Sequence, residues 1–207
     1  MVGSEVVRQA ILDSEIEEII ALARKPLAFQ HPKLKVILHQ NFLDYAGLTE
    51  MLRDMDACLW CLGISQSQVS KEAYYTITYD YAIAGAQAML AAKPNLTFLF
   101  VSGMGADSTE KSRVLFARVK GQTENALRKL PFKKFYIARP GGIKPSHPKA
   151  HTPFVERLWL PLFPLFNLLW PKWFITSEQL AKGLLRVVKD GSDNLIIGNT
   201  ELKGLAS

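Results

Sequence analysis

Residues 96–107 of the chain read LTFLFVSGMGAD, an apolar run that stops abruptly at a polar, glycine-containing turn. The run is apolar apart from Thr97 and ends at Ser102 and Gly103. A short apolar run bounded by turn residues is typical of a strand buried on both faces, as in parallel sheets. Because ligands of open α/β sheets bind beyond the carboxyl ends of the strands, we expect Ser102 to lie at the mouth of a site.

Strand and helix patterns alternate on both sides of this run. This order predicts an α/β fold, a doubly wound and mostly parallel sheet with helices on both faces, in a single domain of residues 1–207. The predicted strands are residues 18–23, 34–39, 57–62, 96–101, 133–138 and 195–198. The predicted helices are residues 3–12, 48–53, 72–92, 113–129 and 178–189.

The composition is that of an ordinary soluble globular protein. Of the 207 residues, 48% are hydrophobic and 21% are charged, and the net charge is +6. This positive charge suits anionic ligands, but no block of basic residues is long enough to indicate nucleic-acid binding. A phosphate-bearing cofactor is the anion that the sequence favours.

Cys58 and Cys61 form a C-x-x-C pattern, which elsewhere can indicate redox chemistry or half of a zinc site. They lie in the predicted strand 57–62, where positions three apart point to opposite faces, so they cannot bridge each other. The four histidines are scattered along the chain. We therefore predict neither a metal site nor a dithiol site.

The pattern changes after residue 144, and residues 145–176 are interpreted as a lid or substrate-side insertion. Residues 158–171, LWLPLFPLFNLLWP, carry no charge but are too short and too proline-rich for a spanning helix. The alternative is a peripheral membrane contact through residues 158–173, which include three tryptophans beside Lys172. No signal peptide pattern opens the sequence, and the expected location is cytoplasmic, with the membrane surface as the alternative.

Six short motifs resemble, in order and spacing, those of the atypical short-chain dehydrogenase/reductases. The similarity is greatest to the branch of Tat-interacting-protein-like oxidoreductases, near the NAD-dependent epimerase-dehydratases. The resemblance implies a Rossmann-like domain that binds NADP (NADPH) and acts on the carbonyl or hydroxyl group of a small molecule. The motifs are residues 24–26 (RKP), 41–44 (NFLD), 61–63 (CLG), 101–107 (VSGMGAD), 119–124 (VKGQTE) and 139–141 (RPG).

The resemblance also assigns roles to individual residues. Arg24 and Lys25 would pair with the 2′-phosphate of NADP, and Ser102 and Lys120 would be catalytic. Each has a structural alternative: a solvated strand end for Arg24 and Lys25, backbone capping for Ser102, and a surface ion pair with Glu124 for Lys120. The implied cofactor-binding residues are Gly3, Arg24, Lys25, Asn41, Phe42, Leu62, Gly63, Lys120, Pro140 and Gly141.

Two departures from the family pattern bear on function. The family begins with a strand and a Gly-x-x-Gly-x-x-Gly loop, of which Gly3 matches only the last glycine. Phe116 stands where the family has the tyrosine that donates a proton, four residues before Lys120. A phenyl ring cannot transfer a proton. The hypotheses are therefore an NADP-dependent oxidoreductase, a non-catalytic nucleotide sensor or scaffold, and a truncated form of a longer reductase.

The missing strand has a predicted structural consequence. In the usual strand order 3-2-1-4-5-6 it is central, so the strands at 18–23 and 57–62 would face a gap with unpaired backbone groups. The two strands would close up, the sheet would be split, or another chain would fill the space. We expect marginal stability or self-association.

Overall fold

The computed structural model describes residues 2–146 and 172–206. Its strands are β1 Ile19–Ala23, β2 Leu34–Leu38, β3 Ala57–Trp60, β4 Thr97–Val101, β5 Lys134–Arg139, β6 Gly142–Lys144, β7 Phe174–Thr176 and β8 Ile196–Gly198. Its helices are α1 Val2–Leu12, α2 Thr49–Arg53, α3 Lys71–Tyr75, α4 Tyr81–Ala92, α5 Leu115–Arg128, α6 Ser177–Asp190 and α7 Asn199–Gly204.

The predicted α/β architecture is confirmed, and the strand pairs of the described residues are parallel. The main sheet has the order β3-β4-β5-β8, and two further pairs, β1-β2 and β6-β7, lie apart from it. One core cluster contains residues of α1, α6 and α7, and the other contains residues of α2, α4 and α5. Helices therefore cover both faces of the sheet.

Strand β4 is the buried centre of the main sheet, as its sequence predicts. Its five residues are all buried. Phe98 and Phe100 enter the core beneath α4 and α5, whereas Leu99 and Val101 enter the core beneath α1 and α6. A strand that contacts apolar cores on both faces needs no polar alternation, which explains its continuous apolar run.

The sheet is split between β1 and β3. Ile19 of β1 and Leu59 of β3 pack against the same core, and Leu22 and Cys58 pack against the opposite one. The two strands thus lie in one layer between the same helices, yet they are not paired with each other. Of the three outcomes that the sequence allowed, the structure has the divided sheet.

Several sequence predictions need correction in their details. The helix expected over residues 72–92 is α3, a π-helical turn at Thr76–Asp80, and α4. The strand expected over 57–62 ends at Trp60. The short elements β6, β7 and α7 were not predicted, because three to six residues carry too little periodicity to be recognised.

The C-x-x-C residues behave as their spacing predicts. Cys58, in β3, packs against one core, and Cys61, just after β3, packs against the other, so their side chains lie on opposite faces of the sheet. Burial raises the pKa of each thiol to about 12, which disfavours the reactive thiolate.

The proposed lid and the membrane contact fall largely on residues 147–171, which lie outside the described residues. Within residues 2–146 and 172–206, none of the helices combines the length and the apolar character needed to cross a bilayer.

Candidate functional site

The carboxyl ends of the parallel strands gather most of the residues that the sequence singled out. Arg24 and Lys25 follow β1, Gly63 lies just beyond β3, and Ser102 follows β4. Pro140 and its neighbour Gly141 follow β5. Because parallel strands that share one layer end at the same edge, these residues border one side of the molecule.

The first turn of α1 also reaches this edge. A Cβ atom on Gly3 would lie 3.4 Å from the Cβ of Cys61, next to the end of β3. A Cβ on Gly63 would meet nothing within 4 Å, so open space adjoins this strand end. The first turn of α1 lies beside this space, and the N-terminal turn of a helix favours an anion such as a pyrophosphate.

Arg24 and Lys25 are both exposed. The backbone carbonyl of Arg24 accepts a hydrogen bond of 2.8 Å from Nε2 of Gln40, which ties together the ends of β1 and β2. The two cationic side chains extend from this fixed turn, where they are available to a phosphate group.

Lys120 is buried, and it does not form the surface pair with Glu124 that the sequence left as an alternative. Its Nζ donates a hydrogen bond of 2.9 Å to the backbone carbonyl of Val101 and lies 4.6 Å from the centre of the Phe100 ring. Burial lowers the pKa of Lys120 to about 8, although the nearby charge of Glu124 opposes this effect. The amine therefore lies directly behind the end of β4.

Glu124 pairs with Arg139 instead, and it holds Ser102. Arg139 donates from Nε to Oε1 of Glu124 at 3.0 Å and from Nη2 to Oε2 at 2.5 Å. The hydroxyl of Ser102 donates to the same Oε1 at 2.5 Å. Because Glu124 is fully buried, Arg139, Glu124 and Ser102 form a fixed network. The hydroxyl proton of Ser102 is already engaged in its hydrogen bond to Glu124.

Phe116 lies over Gly103. A Cβ on Gly103 would be 2.7 Å from Cζ of the Phe116 ring, so the ring packs directly against the glycine backbone. Neither residue offers a side-chain proton, and Phe116 thus leaves this position without a general acid.

A pocket of about 460 Å³ opens at this place. It lies between the ends of β4 and β5 and the β6-β7 pair. Its described lining residues are Ser102, Gly103, Met104, Phe116, Pro140, Gly141, Gly142, Ile143, Trp173 and Phe174.

Asn199, the first residue of α7, is a site residue that the sequence did not reveal. Its Oδ1 accepts a hydrogen bond of 2.9 Å from the N–H of Gly141, and its Nδ2 donates to the carbonyls of Lys172 and Phe174. It therefore holds both walls of the pocket together. In the sequence, Asn199 follows Gly198 at the start of a short helix. Asparagine is common at helix N-termini, so its presence there does not by itself indicate a site residue.

Asn41 and Phe42 differ in their accessibility. Asn41 is exposed, and its side chain accepts a hydrogen bond from the N–H of Leu43 within a turn. Phe42 is only 3% exposed, and its ring packs against His39 and Trp60. Phe42 thus contributes to the core beside the strand ends rather than to the open edge.

Comparison with known proteins gives distant relatives. The chain matches no protein-family model. It is 27% identical over 150 residues to the leucinostatins biosynthesis cluster protein T of Purpureocillium lilacinum, covering 70% of this chain and 55% of that protein. It is 28% identical over 158 residues to the mitochondrial protein FMP52 of Candida albicans, covering 73% and 66% respectively. The chain therefore spans less than two thirds of the length of these two relatives.

Solved structures establish the fold. WbmF of Bordetella bronchiseptica, in complex with NAD+, has a TM-score of 0.69 at 16% identity, over 99% of this chain and 73% of that one. The dTDP-glucose 4,6-dehydratase DesIV of Streptomyces venezuelae, with NAD and TYD bound, has a TM-score of 0.64 at 18% identity, over 99% and 76%. The chain has the Rossmann-like α/β fold of these NAD-bound structures.

The UDP-glucuronic acid 4-epimerase of Bacillus cereus, in complex with NAD, is a third structure with this fold. Its TM-score is 0.67 at 13% identity, over 95% of this chain and 72% of that one. In this chain, the edge of the sheet that carries Arg24, Gly63 and Ser102 is the carboxyl edge of the parallel strands. Ligands of open α/β sheets bind at that edge.

Proposed function

We propose that this chain binds a nicotinamide dinucleotide, with NADP preferred to NAD, as an oxidoreductase-like protein of the short-chain dehydrogenase/reductase type. The observation that carries the proposal is the convergence of three features on one edge of the sheet. These are the first turn of α1 beside open space, the exposed pair Arg24 and Lys25, and the buried amine of Lys120. The NAD-bound structures that share the fold support the same cofactor class.

Different residues of the site fit different parts of such a cofactor. The first turn of α1 suits the pyrophosphate, and the two cations Arg24 and Lys25 suit a 2′-phosphate better than the hydroxyl of NAD. Lys120 lies within reach of the strand end where ribose hydroxyls would lie, and Pro140 and Gly141 would border the nicotinamide. When bound, that ring would supply or accept a hydride.

The test is a calorimetric titration of the chain with NADPH and, separately, with NADH. We expect NADPH to bind more tightly. The double variant Arg24→Ala/Lys25→Ala should weaken NADPH binding by at least about tenfold and leave NADH binding nearly unchanged, because it removes two charge-assisted contacts to the phosphate.

Lys35→Ala is the matched control, since Lys35 is an exposed cation of β2 rather than of the turn after β1. It should leave both affinities unchanged. If neither dinucleotide binds to the folded chain, or if both variants have the same effect, the proposal is wrong.

Phe116 favours a second candidate function, which is dinucleotide binding without catalysis. Its ring occupies the position beside Gly103 and carries no transferable proton, and the Ser102 proton is held by Glu124. A chain of this kind would act as a nucleotide sensor or scaffold.

The variant Phe116→Tyr distinguishes the two candidates. A phenol at this position restores a proton donor that is four residues before the amine of Lys120, so NADPH-dependent reduction of a carbonyl compound would indicate a reductase that has lost its acid. Phe116→Leu is the control without a hydroxyl. Absence of carbonyl reduction by the tyrosine variant, with NADPH still bound, would favour binding alone.

A further inference from the structure

The pocket beside Phe116 has a lining that contrasts with the polar edge around Arg24. None of its described lining side chains carries a charge. Among these side chains, Ser102 contributes the hydroxyl and Trp173 contributes an indole N–H, and the remaining ones are apolar or are glycines. The chemistry of a ligand here is therefore set largely by apolar surface.

The Ser102 hydroxyl is not free to donate to a ligand. Its proton lies in the 2.5 Å hydrogen bond to Glu124, and Glu124 is held from its other side by Arg139. A hydroxyl or carbonyl of a ligand that took this proton would leave a fully buried carboxylate oxygen with one partner fewer.

Three backbone donors of the pocket walls are also engaged. The N–H of Met104 donates to the carbonyl of Pro140 at 2.8 Å, and the N–H of Gly142 donates to the carbonyl of Trp173 at 2.7 Å. The N–H of Gly141 donates to Asn199 at 2.9 Å. Sugar hydroxyls placed against these walls would lose hydrogen bonds to water without gaining equivalents from these three donors.

Aromatic rings lie at three points of the pocket. Phe116 lies on the side of β4, Phe174 lies on β7, and Trp173 is 58% exposed at the rim. Flat apolar groups pack well between such rings, and the volume of about 460 Å³ accommodates a small molecule.

From these observations we infer that the pocket binds a small apolar compound that bears an aromatic ring, and that it discriminates against sugar nucleotides. The inference depends on the lining alone, and only the use of a ketone as its probe rests on the proposed function. Such a preference would distinguish this chain from WbmF, solved with NAD+ and UDP, and from the dTDP-glucose 4,6-dehydratase DesIV, which share its fold.

The experiment measures binding of 2-acetonaphthone, UDP-glucose and dTDP-glucose by equilibrium dialysis, with and without saturating NADPH. We expect the ketone to bind at least about tenfold more tightly than either sugar nucleotide. Met104→Lys, which introduces a charge into the apolar lining, should weaken ketone binding by a similar factor. Leu12→Lys, at a position 75% exposed at the end of α1, is the control.

Trp173→Ala is a second variant, because truncating an exposed rim side chain leaves the buried core intact, and it should also weaken ketone binding. Tighter binding of a sugar nucleotide, or equal ketone binding by all the variants, would overturn the inference. NADPH binding is measured separately by calorimetry. Ketone binding without NADPH binding would refute the proposed function alone, and NADPH binding without ketone binding would refute the pocket inference alone.

Discussion

Lys120 shows, at the scale of a single residue, how burial changes chemistry. Its amine is held by the carbonyl of Val101 and the face of Phe100, and burial lowers its pKa from 10.5 to about 8. The interior of the protein thus stabilises the charged form of the Lys120 amine less than water does. Near neutral pH the folded state bears the cost of this charge, which a neutral amine would avoid.

This environment predicts a pH dependence of stability. Between about pH 8 and pH 10.5 the unfolded chain binds more protons than the folded chain, so stability rises with pH across this window and is lost as the pH falls through 8. Between about pH 8 and pH 10.5, we expect the free energy of unfolding of the unmodified chain to increase by up to about 3 kcal/mol more than that of Lys120→Met.

Urea unfolding at a series of pH values measures this difference. Lys35→Met, which changes an exposed lysine, should follow the pH profile of the unmodified chain. Parallel profiles for the unmodified chain and Lys120→Met would contradict the prediction.

At the scale of elements, the loop after β4 is fixed by its contact with α5. The N–H of Asp107 donates to the carbonyl of Ala117 at 2.9 Å, and the Asp107 carboxylate accepts hydrogen bonds from Thr109, Lys111 and Ser112. A Cβ on Gly121 would lie 1.8 Å from the carbonyl oxygen of Asp107. The loop and helix can approach this closely because residue 121 has no side chain.

Gly121→Ala should therefore destabilise the chain. The added methyl group would collide with backbone atoms, so we expect a loss of about 2 kcal/mol or more in the free energy of unfolding. Chemical denaturation measures the loss. Gly47→Ala is the control, since a Cβ there would meet nothing within 4 Å, and equal stability of the two variants would exclude the close approach.

At the scale of the whole molecule, the space between β1 and β3 is the main departure from a continuous sheet. The N–H of Ile19 donates to Lys33, and the carbonyl of Ala23 accepts from His39, so these residues face β2. Because alternate residues of a strand face the same neighbour in a parallel ladder, Ile20 and Leu22 direct their backbone groups toward β3. In the part of the chain described here, β3 does not pair with them.

Unpaired strand edges within one layer predict self-association through backbone pairing. We expect sedimentation velocity to show a mass that increases with concentration. Ile20→Pro should reduce this association, because it removes an N–H that faces the space, while Ile20→Ala should retain it. A chain that stays monomeric at every concentration would refute this prediction.

Much of the architecture could be predicted from the sequence. The apolar run around β4, which is interrupted only by Thr97, indicated a strand buried on both faces. The alternation of strand and helix patterns around it indicated a parallel α/β sheet, because the spacing of hydrophobic residues reflects which faces of an element are buried. The absence of a proton donor at Phe116 was also readable, since it depends on residue type alone. The split between β1 and β3 was one of three outcomes that the sequence allowed.

Only the tertiary structure decided which groups the site residues contact. Ser102 and Glu124 are 22 positions apart, and Gly141 and Asn199 are 58 apart, so nothing in local spacing indicates that they share hydrogen bonds. The same applies to Lys120, which sequence alone left between a ribose contact and a surface pair with Glu124. The packing of α5 against β4 buries Lys120 and places Glu124 within hydrogen-bond distance of Arg139. Side-chain partners depend on how the elements pack together and not on their order in the sequence.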